Sequence, residues 1–320
     1  MVVAIGNTPL LPLRRMAAEH GLPGTVELWL KGEWTNPGGS IKDRPALAIV
    51  RAALAEGRLG DGQTLLDSTS GNTGIAYAML GAAFGFPVEI VLPANASEER
   101  RRILAAYGAT VVASDAMEGS NGAIRLAREM AAADGDGGRG RYFYADQYGN
   151  PANPAAHEAT TGPELWAQTE GRITHLVAGL GTTGTLMGVG RFLRERVPDV
   201  EIIAAEPRYG ELVYGLRNLD EGFVPELYDE SVLTSRYSVG PRDAVRRVRE
   251  LLDNEGLFAG FSTGAIAHAA LGIAGRCHQE GRRADIAFIV CDAGWKYLST
   301  GAYAGTLDEA ESRLDGQLWA

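Results

Sequence analysis

The chain of 320 residues is 45% hydrophobic and 22% charged, enough for about two domains with sizeable cores, which excludes disorder, a collagen-like fibre and a disulfide scaffold. Thirty basic against forty acidic residues leave a formal charge of -10, which argues against nucleic acid or an anionic membrane as partner but permits a small anionic substrate. No apolar run reaches the ~18 residues of a membrane helix, no export signal opens the sequence, and Cys277 and Cys291 form no metal-ligand pattern, so a cytoplasmic, metal-free protein is expected.

In chain order, strand-like runs at Glu27–Leu30, Thr64–Leu66, Pro87–Leu92, Thr110–Val112, His175–Ala178, Glu201–Ala205 and Ile286–Val290 alternate with amphipathic helical stretches. A helix is predicted over Glu98–Tyr107, with Ser97 as N-cap and Gly108 as its stop. Another is predicted over Ala244–Asn254, before Gly256, and a third over Leu186–Arg196. Thr306-Leu307-Asp308-Glu309 has the spacing of a capping box, and the helix it opens should end near Asp315-Gly316. This alternation predicts an α/β fold with a mainly parallel sheet. Asp134–Gly138 reads as a surface loop, and the turn-rich Tyr148–Pro154 as the boundary between two lobes. Ligands of such folds sit at the carboxyl ends of strands, often between lobes.

Four strand-to-helix junctions carry polar clusters. In Thr35-Asn36-Pro37-Gly38-Gly39-Ser40-Ile41-Lys42-Asp43-Arg44-Pro45 a Gly-rich turn leads into a helix with Lys42 in its first turn. The positive end of the helix dipole and partial burial both disfavour the charged amine there, which is how a lysine becomes a nucleophile; a surface lysine on a capped helix is the alternative. Only Lys31, Lys42 and Lys296 compete for that role. Ser68-Thr69-Ser70-Gly71-Asn72-Thr73-Gly74 places hydroxyls, an amide and unpaired N–H groups at a helix start, more than capping requires and suited to a carboxylate. Gly179-Leu180-Gly181-Thr182-Thr183-Gly184-Thr185 suits a phosphate, without the lysine of a P-loop or the spacing of a dinucleotide fingerprint. Gly260-Phe261-Ser262-Thr263-Gly264-Ala265 is again small and polar, and uninformative alone.

Taken together and in this order, the four motifs resemble the cysteine synthase family of fold-type II pyridoxal-phosphate enzymes, from Gly6-Asn7-Thr8-Pro9-Leu10 to Tyr297-Leu298-Ser299-Thr300. The resemblance implies two open, mainly parallel α/β lobes of the tryptophan synthase β type with pyridoxal 5′-phosphate between them. Residues 35–149 would form a smaller mobile lobe, and residues 1–34 with 150–320 the larger one. It implies that Lys42 holds the cofactor and moves the substrate α-proton, that Asn72 meets the ring 3′-oxygen, and that Ser262 faces the pyridine nitrogen. Gly181, Thr182, Thr183, Gly184 and Thr185 would bind the 5′-phosphate; Thr69, Ser70, Thr73 and Gln147 would receive the substrate α-carboxylate. Thr183 departs from the pattern, since many relatives carry glycine there. A neutral serine at the ring nitrogen leaves a weaker electron sink, which favours β-elimination to an aminoacrylate followed by sulfur addition.

Ala205–Gly210, Tyr214–Phe223, Asp292–Tyr297 and Gln317–Ala320 look like the actinobacterial O-phosphoserine-dependent cysteine synthases, which take sulfur from a thiocarboxylated ubiquitin-like carrier protein. This closer resemblance implies O-phospho-L-serine as substrate, Arg217 as the cation for its phosphate, and a homodimer. An ion pair of Arg217 with Asp220 or Glu221 is the structural alternative. The tail Gln317–Ala320 is expected to act as a lid over the cleft, or else to pack on the protein surface. Lys31 and Lys296 are expected to be structural, and the five histidines receive no chemistry. O-acetylserine sulfhydrylation, serine or threonine dehydration and cystathionine synthesis, which relatives of this fold perform, are the alternative functions and differ in donor, acceptor or product. A purely partner-binding role conflicts with intact Lys42, Asn72 and Ser262.

Overall fold

Ten strands form two sheets in the computed structural model, which describes residues 1–60, 62–69, 71–134 and 140–315. Ser70, most of the Asp134–Gly138 loop and the Gln317–Ala320 tail lie outside the described residues. In chain order the strands are β1 (Leu10–Pro12), β2 (Val26–Gly32), β3 (Thr64–Ser68), β4 (Val88–Pro93), β5 (Thr110–Ser114), β6 (Tyr142–Tyr144), β7 (His175–Gly179), β8 (Glu201–Pro207), β9 (Ser235–Val239) and β10 (Ala284–Val290). The larger sheet runs β1-β2-β10-β7-β8-β9 and the smaller β5-β4-β3-β6. Every pairing is parallel except β1 with β2.

Helices cover both faces, so central strands such as β3 and β10 are buried throughout, and Ile286–Val290 of β10 is an unbroken apolar run. Alternation along β10 sends Ile286, Phe288 and Val290 to the core under the Phe261–Gln279 helix, and Ala287 and Ile289 to the core under the Gly184–Arg194 helix. β1, β6 and β9 are sheet edges that sequence periodicity does not reveal. Two are only three residues long, and Ser-Arg-Tyr-Ser-Val is half-solvated, so none is both long and apolar enough to stand out.

The capping box forms as expected: Thr306 N donates to Glu309 Oε2 at 2.7 Å and Glu309 N to Thr306 Oγ1 at 3.2 Å. Ser97 precedes the Glu98–Ala106 helix but makes no capping bond; its hydroxyl donates instead to the Lys296 carbonyl, 3.3 Å away. The helix expected over Ala244–Asn254 spans Pro241–Glu255, because proline is compatible with the first turn.

Candidate active site

Parallel connectivity puts the ends of β2, β3, β7 and β10 on one side, and the predicted junctions follow three of them. After β2, Gly38 N donates to Asp43 Oδ2 at 2.5 Å, and Gly39 turns the chain with φ +74°. Ile41 N donates to the Cys291 carbonyl at 2.9 Å, which stitches the turn to the end of β10. Lys42 stands immediately before the Asp43–Ala55 helix rather than inside its first turn. Its ammonium has no hydrogen-bond or ion-pair partner among the described residues. Burial pushes its pKa below the ordinary lysine value, opposed in part by Cys291 and Asp292. A lysine so placed is a ready nucleophile and base.

One cavity is lined by Lys42, Thr69, Asn72, Thr73, Gln147, Gly181, Thr182, Thr183, Thr185 and Ser262. At the start of the Asn72–Phe84 helix the polar groups are bonded to one another. Thr73 Oγ1 donates to Gln147 Oε1 at 2.7 Å, Gln147 Nε2 to the Ser68 carbonyl at 2.6 Å, and Gly71 N to Thr69 Oγ1 at 2.9 Å. Gly71 has φ +153° and packs so closely on Arg100 that a side chain there would displace the arginine. Among the described residues Thr69 and Gln147 each keep one uncommitted proton, and the first-turn N–H groups lack partners within the helix. Asp67, fully buried behind Gln147, accepts from its N–H at 3.1 Å; burial raises the Asp67 carboxyl to about 7.

The Gly181–Thr185 segment opens the Gly184–Arg194 helix, two residues earlier than periodicity suggests, with Thr183 as N-cap at φ +69°. A β-branched residue is strained in that left-handed conformation. The Thr183 hydroxyl is buried and has no hydrogen-bond partner among the described residues. Asn153 braces the loop from behind, donating to Thr182 Oγ1 at 3.0 Å and to the Gln147 carbonyl at 2.8 Å. The Asn153 carboxamide lies so tightly on Gly184 that no side chain fits there. Gly184 therefore supports the loop without lining the cavity. His157 lies 3.3 Å from Thr185 Oγ1, in a π-helical stretch, and burial holds its pKa well below the usual histidine range. Neither Asn153 nor His157 carries a sequence signal for this role.

Ser262, in the first turn of the Phe261–Gln279 helix, meets Cys291, whose thiol burial pushes up to about 12. Arg217 lies in an adjoining cavity that shares Tyr148, Gly181, Gly215 and Leu216 with the first. Its guanidinium sits over the rings of Phe223 at 4.4 Å and Tyr148 at 5.0 Å and donates to Asn121 Oδ1 and the Tyr148 hydroxyl, each at 3.4 Å. The Arg217 backbone N–H donates to the Leu180 carbonyl at 2.8 Å. The alternative ion pair is absent: Asp220 pairs with Arg236 at 3.2 Å, and Glu221 accepts from Gly210 N at 2.7 Å. Lys31 is bonded to Glu164, Gln168 and the Thr8 carbonyl, away from the cavity. Lys296 is buried, and its Nζ donates to Asn72 Oδ1 at 2.8 Å.

Residues 2–292 match the family model of the pyridoxal-phosphate dependent enzymes. The sequence is also 43% identical over 301 residues to a cysteine synthase of Aquifex aeolicus, covering 94% of this chain and 90% of that one. The chain belongs to the cysteine synthase family of pyridoxal-phosphate enzymes. Cysteine synthase B of Escherichia coli is 42% identical over 299 residues, covering 93% of this chain and 94% of that one. The crystal structure of a cysteine synthase from Entamoeba histolytica superposes with a TM-score of 0.85 at 34% identity, covering 98% and 94% of the two chains.

The residues of this enzyme fit its cofactor. The Gly181–Thr185 helix start offers N–H donors and the orphaned Thr183 hydroxyl to a phosphate. Lys42 supplies an unbonded amine of lowered pKa. Ser262 presents a neutral hydroxyl on the same cavity. Among the described residues no His, Cys, Asp and Glu cluster has the makings of a metal site, and no helix is long and apolar enough to cross a membrane.

Proposed function

We propose that the enzyme makes L-cysteine by replacing the phosphate of O-phospho-L-serine with sulfur. The observation that carries this reading is Arg217, a cation with no carboxylate partner among the described residues, at the junction of the main cavity with its neighbour. Its planar fork suits two phosphate oxygens, and the Tyr148 and Phe223 rings hold its plane. Thr69, Thr73, Gln147 and the Asn72–Phe84 helix start take the α-carboxylate, with Thr73 and Gln147 exchanging their mutual bond for bonds to the substrate. Residues 35–149 act as the smaller, mobile lobe that carries this receptor. When bound, the cofactor supplies the electron sink for the carbanion at the substrate α-carbon. Lys42 Nζ takes the α-proton and returns it, a task its lowered pKa suits.

The sulfur donor in this reading is a thiocarboxylated ubiquitin-like carrier protein, with free sulfide as the simpler substitute, and the enzyme works as a homodimer. Exposed Met117 and Leu212 line the outer cavity, an apolar rim suited to a protein donor. Arg217→Ala is expected to lower kcat/KM for O-phosphoserine roughly tenfold to a hundredfold, as loss of a charged hydrogen bond requires, with a much smaller loss for O-acetylserine. Equal losses with both donors would return Arg217 to a structural role and make O-acetylserine the better candidate.

A further inference from the structure

Lys296 is fully buried in the short helical turn Gly294–Thr300. Its Nζ donates to the Gly38 carbonyl at 2.9 Å, the Gly39 carbonyl at 3.1 Å and Asn72 Oδ1 at 2.8 Å. Three acceptors use all three ammonium protons. An ammonium only donates, so the atom of Asn72 that faces it is the carbonyl oxygen. On the other side Asn72 Nδ2 donates to Asp292 Oδ2 at 2.7 Å, and Asp292 is itself held by the Tyr297 hydroxyl at 2.6 Å. Both partners enforce one orientation of the amide. Reversing it would set NH₂ against a cation and oxygen against a carboxylate, losing two charge-assisted bonds. Asn72 keeps one N–H uncommitted among the described residues and lines the cavity. The same ammonium grips the turn that leads to Lys42, so one buried charge references both cavity walls to each other.

We propose that Lys296 is a positioning residue for the cofactor: through Asn72 it ensures that an N–H, not a carbonyl, meets the cofactor ring. This rests on the reading of Asn72 as the partner of the ring 3′-oxygen. The test is a double-mutant cycle on the holoenzyme with Lys296→Met, Asn72→Ala and the pair, following release of cofactor into a trap by absorbance. Each single substitution should speed release about tenfold to a hundredfold, and the pair no more than the larger single effect. Acceleration by Lys296→Met of equal size on both backgrounds would make the lysine merely structural and overturn the proposal. So would acceleration by Asn72→Ala without any by Lys296→Met. Unchanged release in Asn72→Ala would instead remove the reading of the cofactor seat. If Lys296→Met does not fold, Lys296→Arg keeps the buried charge but cannot reach all three acceptors with one nitrogen. It should then speed release on the Asn72 background and not on Asn72→Ala; no effect on the first, or equal effects on both, overturns the proposal.

Discussion

At the start of the Asn72–Phe84 helix Thr73 and Gln147 bond to each other, whereas at the start of the Gly184–Arg194 helix a buried hydroxyl on a strained threonine has no partner among the described residues. Both sites follow a parallel strand, and both are rich in Gly and Thr. The first belongs to the smaller sheet, and its Thr73–Gln147 pair is bonded to itself. Thr73 donates to Gln147 and Gln147 to the Ser68 carbonyl, a chain that in the proposed function opens to admit the substrate carboxylate. The second belongs to the larger sheet and is braced by Asn153 and His157 behind it. Its orphaned donor and left-handed Thr183 are stabilised only when an anion is in place. On the proposed function, the difference separates a receptor for a substrate that comes and goes from a seat for a resident group.

The largest expected effect comes from Lys42, which stands between the two. Lys42→Ala should cut cysteine formation by about 10³-fold or more, since proton transfer at the substrate is lost. The cofactor should still copurify without a covalent link, held by the Gly181–Thr185 seat. Borohydride reduction and peptide mapping of the unsubstituted enzyme should label Lys42, and a label on Lys31 or Lys296 would break the assignment. Next, Thr73→Val removes one donor from the carboxylate receptor. Steady-state kinetics should show kcat/KM for the serine donor falling about fivefold to tenfold, with cofactor release unchanged. Faster cofactor release in that variant would erase the distinction between the two sites.

The smallest effect is expected from Thr183→Gly. Relief of the left-handed strain, partly offset by greater freedom of the unfolded chain, should raise the stability of the cofactor-free protein by ~0.5 kcal/mol in urea titration. Loss of the hydroxyl should at the same time speed cofactor release severalfold. An increase in stability with no change in release would show that the hydroxyl does not meet the phosphate.

The junctions themselves were legible because each is a local pattern, an apolar run followed by Gly, Ser and Thr where a helix begins. Lys42 stood out for the same reason, aided by the scarcity of lysine. Arg217 is legible only as two alternatives, of which the structure lacks the ion pair, since Asp220 and Glu221 are bonded elsewhere. Asn153 and His157 were invisible, because their work is to sit behind another segment's backbone and no local spacing encodes that.

What the sequence determined by itself was therefore the alternation of elements, the parallel α/β class and the chemistry offered at each strand end, all consequences of short-range periodicity and turn preference. What only the tertiary structure decided was pairing: that Lys296 meets Asn72 across 224 positions, that Asn153 meets Thr182 across 29, and that three edge strands close the sheets. Those contacts arise when parallel crossovers bring distant strand ends to one side. A buried donor then bonds to whichever acceptor the fold delivers, and the amino-acid order alone does not specify which that will be.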